Sequence, residues 1–217
     1  MSFDFAFALS ILPVLLQGAV LTVLATIGGF AGALVGGAVV ATMQRSDIKA
    51  LRFIAIGFVY VIRNTPLLVQ LYFVFYVLPS VGITIGALSA GILGLSLHYS
   101  AFIAEVYRAG IGAVPVGQFE AADALGLGTI QKWALVIAPQ ALKPILPVLG
   151  NYLIGMFKET PILATITVIE LFGAAQDVAG KTYRYNEPYT LVALIFLAIS
   201  IPCSLLVRRL DSTRKGA

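Results

Sequence analysis

The chain has 217 residues, of which 59% are hydrophobic and only 11% charged, with a formal net charge of +4 and a mean hydropathy of +0.97. Soluble domains carry about 25% charged residues, so this composition excludes an ordinary water-soluble enzyme and points to an all-α polytopic membrane protein. The single cysteine, Cys203, sits in an apolar run and excludes an intrachain disulfide or a cysteine-based metal cluster.

The first ten residues hold one acid, Asp4, and neither Lys nor Arg, and no small-residue cleavage site follows, so the start does not read as a signal peptide. Five stretches are long enough to cross a hydrocarbon core of ~30 Å, which takes about 20 residues each. They lie at about 17–42, 53–78, 83–106, 142–167 and 188–207. The first carries Gly28, Gly32 and Gly36 on one ridge and Gly29, Ala33 and Gly37 on the next. Small residues four apart let helices approach closely in lipid, so this span reads as scaffold.

An odd number of spans puts the termini on opposite sides, and cations favour the cytoplasmic loops. With the N-terminus outside, Arg45, Lys49, Arg52, Arg108, Lys132, Lys143, Arg208, Arg209, Arg214 and Lys215 are cytoplasmic. Only Lys181 and Arg184 are then external, and Arg63 and Lys158 lie inside spans. Ten cations against two place the N-terminus outside and the C-terminus in the cytoplasm. The basic residues therefore follow topology, and no compact basic face for nucleic acid is formed.

The two intramembrane cations sit in parallel breaks, Ile62-Arg63-Asn64-Thr65-Pro66-Leu67-Leu68 and Phe157-Lys158-Glu159-Thr160-Pro161-Ile162-Leu163. Arg63 lies about ten residues into its span, or ~15 Å at the helical rise. A charge at mid-membrane costs about 2.5–3.5 kcal/mol on insertion scales, so each needs a reason to be there. Proline removes a backbone donor and clashes with the carbonyl four residues back, which frees polar backbone at membrane depth. One reading is a solute pathway: a cation meets a carboxylate, Glu159 meets an amino group, and Asn64, Thr65, Pro66, Gln70 and Thr160 shape the break. The other is a structural ion pair of Arg63 or Lys158 with Glu159 or Glu105. His98, the one histidine, either lines this path or packs by a hydrogen bond. Glu105 and Arg108, three apart, read as a local salt bridge. The aromatic external stretch 180–189 suits either a partner contact or an interfacial belt.

Between the third and fourth spans, Pro115 is followed by Val116-Gly117-Gln118-Phe119-Glu120-Ala121-Ala122-Asp123-Ala124-Leu125 and then Gly126. Ala, Leu and Glu favour helix, and Gly126 is suited to end it in a left-handed conformation. A second short helix is expected over 129–136, ahead of Pro139. Phe119 and Leu125 are available for apolar contact. The residues alone leave two readings open, a docking helix–turn–helix or an amphipathic loop on lipid headgroups.

Glu120-Ala121-Ala122, then Gly126, then Val136-Ile137-Ala138-Pro139 resembles the EAA loop of ABC importer permeases, with Ala138 where Leu is usual. Ser100 to Arg108, Gly112 to Gln118, and Arg63-Asn64-Thr65-Pro66-Leu67-Leu68-Val69-Gln70 are similar to the polar amino-acid uptake branch, with Asn64 where Gly is usual. The resemblance implies a type I ABC importer permease fold, a single permease domain over 1–217, and a coupling loop over about 112–140. It implies that Glu120, Ala121, Ala122, Gly126, Phe119 and Pro139 engage a cytoplasmic ATPase subunit that carries the ATP and Mg. It further implies a second permease chain, the same or homologous, and an extracytoplasmic solute-binding protein, with an amino acid or related zwitterion as solute.

No phosphate-binding loop of the G-x-x-x-x-G-K-[ST] type occurs, no metal-ligand pattern is present, and no catalytic residue is expected. The expected role is a multi-pass subunit of the bacterial inner membrane that works by alternating access. The competing role is a stand-alone ion-coupled transporter or channel using Arg63, Lys158 and Glu159, which would not need a surface helix at 116–125.

Overall fold

An unbroken apolar run builds α1 (Phe5–Gln44), 40 residues long, in a computed structural model that describes residues 3–215, with side chains as far as Arg209. The side chains of Arg214 and Lys215, counted above as cytoplasmic, lie outside the described residues. At 1.5 Å per residue α1 is ~60 Å long, and it starts well before the expected position 17. Pro13, a boundary signal in sequence, stands exposed inside the helix, whose inner side (Ile11, Leu15 and Ala19) packs with Leu171, Ala174 and Val192. Asp4 caps the helix by accepting from the Phe7 amide at 3.1 Å.

The expected second span is two helices rather than one. α2 (Lys49–Arg63) ends at Asn64, and α3 (Leu67–Tyr72) continues through a wide turn (Phe73–Val77) and a tight one (Leu78–Val81). The halves meet at 109°. Pro66 stands in extended geometry, φ −62° and ψ 141°, and a residue before proline is pushed away from helical ψ. Three side chains then bond the last carbonyls of α2: Gln70 Nε2 donates at 2.9 Å to Ile62 O, which Pro66 leaves without an amide, while Asn64 Nδ2 donates to Tyr60 O at 2.7 Å and Thr65 Oγ1 to Val61 O at 2.9 Å beside the Asn64 amide.

α4 (Ala87–Gly112) lies along α1, and α5 (Val116–Ala124) is the short surface helix. α6 (Thr129–Gln131) runs through a wide turn (Lys132–Ile137) straight into α7 (Ala138–Glu159). The expectation that Pro139 stops a separate helix is therefore corrected. Pro139 falls in the first turn of α7, where a missing amide costs little, and the wide turn ahead of it absorbs the clash. A tight turn (Thr160–Ile166), α8 (Leu171–Thr182) and α9 (Asn186–Lys215) complete the chain.

Among the described residues there are no strands. Four helices are long and apolar enough to cross a membrane, and a fifth crossing exists if the bent pair counts as one. The glycine ridges of α1 face α4: a Cβ at Gly37 would stand 2.7 Å from Ile103 Cγ2, and one at Gly29 3.0 Å from Leu95 Cβ. Ser96 Oγ uses this proximity to donate to Gly29 O at 3.2 Å. Leu71, Leu95, Ile103, Met156, Leu163 and Ile166 fill the core beside this seam.

Candidate functional site

Two regions carry chemistry. At one end of the bundle, α5 ends as the sequence predicts. Gly126 adopts φ 68°, the Leu127 amide donates to Ala122 O at 3.1 Å, and the Gly126 amide donates to Asp123 O at 3.0 Å. These two bonds make a Schellman lock. Three contacts hold α5 against the segment that leads into α7. Lys132 Nζ meets Asp123 Oδ1 at 2.6 Å, Gln140 Nε2 donates to Gln118 Oε1 at 2.9 Å, and the Phe119 and Trp133 rings meet edge to face at 6.4 Å. Arg45 lies over the other part of this corner, 5.9 Å from the Trp133 ring centre.

The same geometry sorts the EAA residues. Ala122 is buried on the inner side of α5, and Phe119 is turned toward Trp133 and the cluster of Val114, Ile137 and Ala141. Glu120, Ala121, Gly126 and Pro139 are exposed, as is Leu125 at 78%. The side of α5 that carries Glu120 and Ala121 is thus open, while Phe119 secures the helix to the bundle.

Deeper in the bundle, the two broken segments converge on α4. Gln70 Nε2 also donates to Thr65 Oγ1 at 2.7 Å, and its Oε1 lies 3.1 Å from His98 Nδ1. With the amide so placed, the ring nitrogen must be the donor. His98 stacks near Phe102 at 5.1 Å, and the Arg63 guanidinium lies 5.3 Å over that same Phe102 ring. Tyr99 OH donates to Glu159 Oε2 at 2.9 Å, and Tyr152 packs edge to face on Tyr99 at 6.0 Å. Arg63, Asn64, Thr65, Gln70, His98 and Glu159 therefore share one aromatic-lined side of α4. Thr160 is buried and bonds back to Phe157 O at 2.8 Å.

Lys158 does not join this group. It lines a separate cavity of about 550 Å³ with Pro161, Ser200, Ser204 and Arg208, on the α9 side. Successive residues on a helix point about 100° apart, which separates Lys158 from Glu159. The ion-pair reading also fails for Glu105, which binds Arg108 at 2.6 Å rather than Arg63. Among the described residues neither Arg63 nor Lys158 has a carboxylate in ion-pairing range.

Sequence reasoning missed Glu170. It is fully buried, accepts from the Phe172 and Gly173 amides at 3.0 and 2.8 Å, and accepts from Thr22 Oγ1 at 3.2 Å. Thr22 Oγ1 in turn accepts from the Leu171 amide at 3.1 Å. This carboxylate caps α8 and ties it to α1, favoured by the positive end of the helix dipole. The available signal was one acid flanked by Ile169 and Leu171. At the same end of the bundle, Arg184 Nη1 meets Asp4 Oδ2 at 3.0 Å and lies 4.5 Å over the Phe7 ring. The buried Glu187 accepts from the Asp4 amide at 3.0 Å. The Phe7 amide and, after it, Arg184 hold the Asp4 carboxyl below its ordinary range.

Residues 33–216 match the family described as binding-protein-dependent transport system inner membrane components. The chain is 42% identical over 208 residues to a probable amino-acid ABC transporter permease of Sinorhizobium fredii, covering 96% of this chain and 90% of the relative. It is 32% identical over 217 residues to a glutamine transport system permease of Escherichia coli, covering 99% of each. Among solved structures, an amino acid ABC transporter with histidines superposes with a TM-score of 0.89 at 37% identity, covering 98% of this chain and 100% of that one. An inward-facing methionine ABC transporter shares the fold at a TM-score of 0.68 and 20% identity, covering 96% of this chain and 99% of that one.

Proposed function

The chain belongs to the family of binding-protein-dependent transport system inner membrane components, and we propose that it is one of two permease chains lining an amino-acid importer. As a member it is a multi-pass inner-membrane transport component, and ATP hydrolysis belongs to a separate subunit. The reading takes the bent pair α2–α3 as one span, which makes five. It places the N-terminus outside and α5 with the C-terminus in the cytoplasm, following the ten-to-two cation count. The whole of 1–217 then acts as one permease domain, with 112–140 as the coupling loop.

The observation that carries the proposal is α5. It is a helix locked at Gly126, fixed to the bundle by Phe119, Asp123 and Gln118, with Glu120 and Ala121 left open. A partner ATPase, holding ATP and Mg, grips that open side together with Gly126 and Pro139. Closure of the ATPase pair is passed through Trp133 into α7. Phe119 and Ala122 serve from the inner side, as the attachment of the helix.

The solute is an amino acid or related zwitterion, delivered by an extracytoplasmic binding protein, as the names of the relatives suggest. Its path runs past Arg63, Asn64, Thr65, Pro66, Gln70, His98 and Glu159, with the buried Thr160 shaping the break behind them. Arg63, which forms no ion pair among the described residues, takes a carboxylate, and Glu159, fixed by Tyr99, takes an ammonium group. Lys158, in its separate cavity on the α9 side, stays outside this path. The test is reconstitution of the chain with its ATPase and binding protein. Uptake is expected to need all three and ATP; uptake by this chain alone under an ion gradient would overturn the proposal.

A further inference from the structure

The polar side of α4 continues past the broken helices. His98, Phe102 and Glu105 are four and three residues apart, so they stand in line along one face. Where that line ends, a second cleft of about 590 Å³ opens between the last turn of α1, α2 and α4. Gln44, Tyr60, Arg63, Asn64, Glu105 and Arg108 line it.

Three features set this cleft apart from a solvated groove. Arg63 faces the Phe102 ring and lacks a carboxylate partner among the described residues. Glu105 is held at both oxygens, one taking Arg108 Nη2 at 2.6 Å and Nε at 3.1 Å, the other taking Gln44 Nε2 at 3.1 Å. Gln44 Oε1 is buried and accepts no hydrogen bond, the one such side-chain atom among the described residues. A buried acceptor left without a donor costs about 1–3 kcal/mol, and here it stands beside a fixed anion.

We propose that this cleft is a second, exit-side station for the transported solute, and that it selects an α-amino acid with an uncharged side chain. The solute's carboxylate pairs with Arg63. Its ammonium group, which carries three donors, bonds Glu105, and rotation of the Gln44 amide brings Oε1, now buried without a donor, to the same group. Two cations against one anion in the lining disfavour a second positive charge, so arginine and lysine bind poorly. The inference rests on the proposed importer reading, in which this end of α4 faces the cytoplasm. It adds that solute accumulating in the cytoplasm re-enters the chain here and slows release. Gln44 adjoins Arg45, whose guanidinium rests on Trp133, so occupancy is felt close to the attachment of α5.

The test uses the complete permease, ATPase and binding-protein assembly in proteoliposomes, with L-glutamine as the probe. In a Cys203→Ser background, Tyr60→Cys is labelled by a membrane-impermeant methanethiosulfonate reagent from the cytoplasmic side. Glutamine at ten times its dissociation constant leaves about one site in eleven free, so labelling is expected to slow about tenfold. Adding Glu105→Gln, or separately Gln44→Leu, is expected to remove most of that protection while the cysteine still reacts. Protection that survives both changes would overturn the station, as would unprotected labelling in vesicles that still import glutamine. Vesicles that import no amino acid with every subunit and ATP present would instead refute the importer reading, and the station with it.

Discussion

Gly126 and Glu170 show how unequally single residues announce themselves. At Gly126 the backbone is left-handed, and nothing lies within 4 Å of the place a Cβ would take. The cost of any substitution there is therefore conformational, about 1–2 kcal/mol for an L residue. Gly126→Val is expected to loosen the end of α5, raising hydrogen exchange across Val116–Ala124 while the melting temperature of the bundle barely moves. This residue was legible because a glycine after an alanine-rich helix has one main use. Glu170 was not, because an acid after a span looks the same whether it is solvated or capping a helix that lies beyond it. Its burial predicts a large effect: Glu170→Ala leaves the Phe172 and Gly173 amides without their acceptor, costing about 2 kcal/mol or more. Glu170→Gln, which keeps one carbonyl acceptor, should cost less, and thermal melting in detergent would rank the two. Asp4 offers a pH test. Its carboxyl is held below the ordinary value of 3.8, so its pairing with the Phe7 amide and Arg184 is fully present above that value. The contribution is lost as pH falls through the lower folded-state value. Wild-type chain should therefore lose N-terminal order on acidification below pH ~4, whereas Asp4→Asn should lack that step.

At the level of elements, the α1–α4 seam was readable and the bend between α2 and α3 only half so. Glycines four apart predict a close approach, and the seam realises it with Gly37 against Ile103 and Gly32 against Ser96. A side chain introduced at the centre of that contact overpacks it, at about 1–3 kcal/mol. Gly37→Val is accordingly expected to lower thermal stability while leaving the fold of α5 unchanged, and a melt that equals the wild type would contradict the seam. Pro66 marked a break in α2–α3 but not its 109° angle, because a proline removes helical geometry without saying what replaces it. The direction is set by which side chains take over the free carbonyls, here Asn64, Thr65 and Gln70. Those contacts are local, four to eight residues apart, but they depend on rotamers that the residue pattern does not encode. The direction in which Phe119 turns was unreadable for a related reason. α5 bears too few apolar side chains to declare a buried face, and only the position of Trp133 shows which way the ring turns.

At the scale of the whole molecule, the proposed coupling follows one line of contacts, from the open side of α5 through Phe119 and Trp133 to the wide turn that begins α7. α7 in turn ends at Glu159, beside Tyr99 and the broken helices. Two kinds of failure can therefore be separated by two substitutions on the same short helix. Glu120→Arg reverses a charge on the exposed side, where the proposed docking would pair it with the ATPase, and breaking such a docked pair costs about 2–5 kcal/mol. The ATPase is expected to dissociate at least ~30-fold more readily, with membrane insertion and expression unchanged. Phe119→Ala acts on the inner side, removing the ring that seats α5 on Trp133. The ATPase should then still bind, and still hydrolyse ATP, but uptake per ATP should fall because the helix moves without carrying α7. Co-purification of the ATPase and the ratio of uptake to hydrolysis measure the two effects separately. If Phe119→Ala detaches the ATPase while Glu120→Arg leaves both binding and uptake intact, the inner and outer sides of α5 have been assigned the wrong way round.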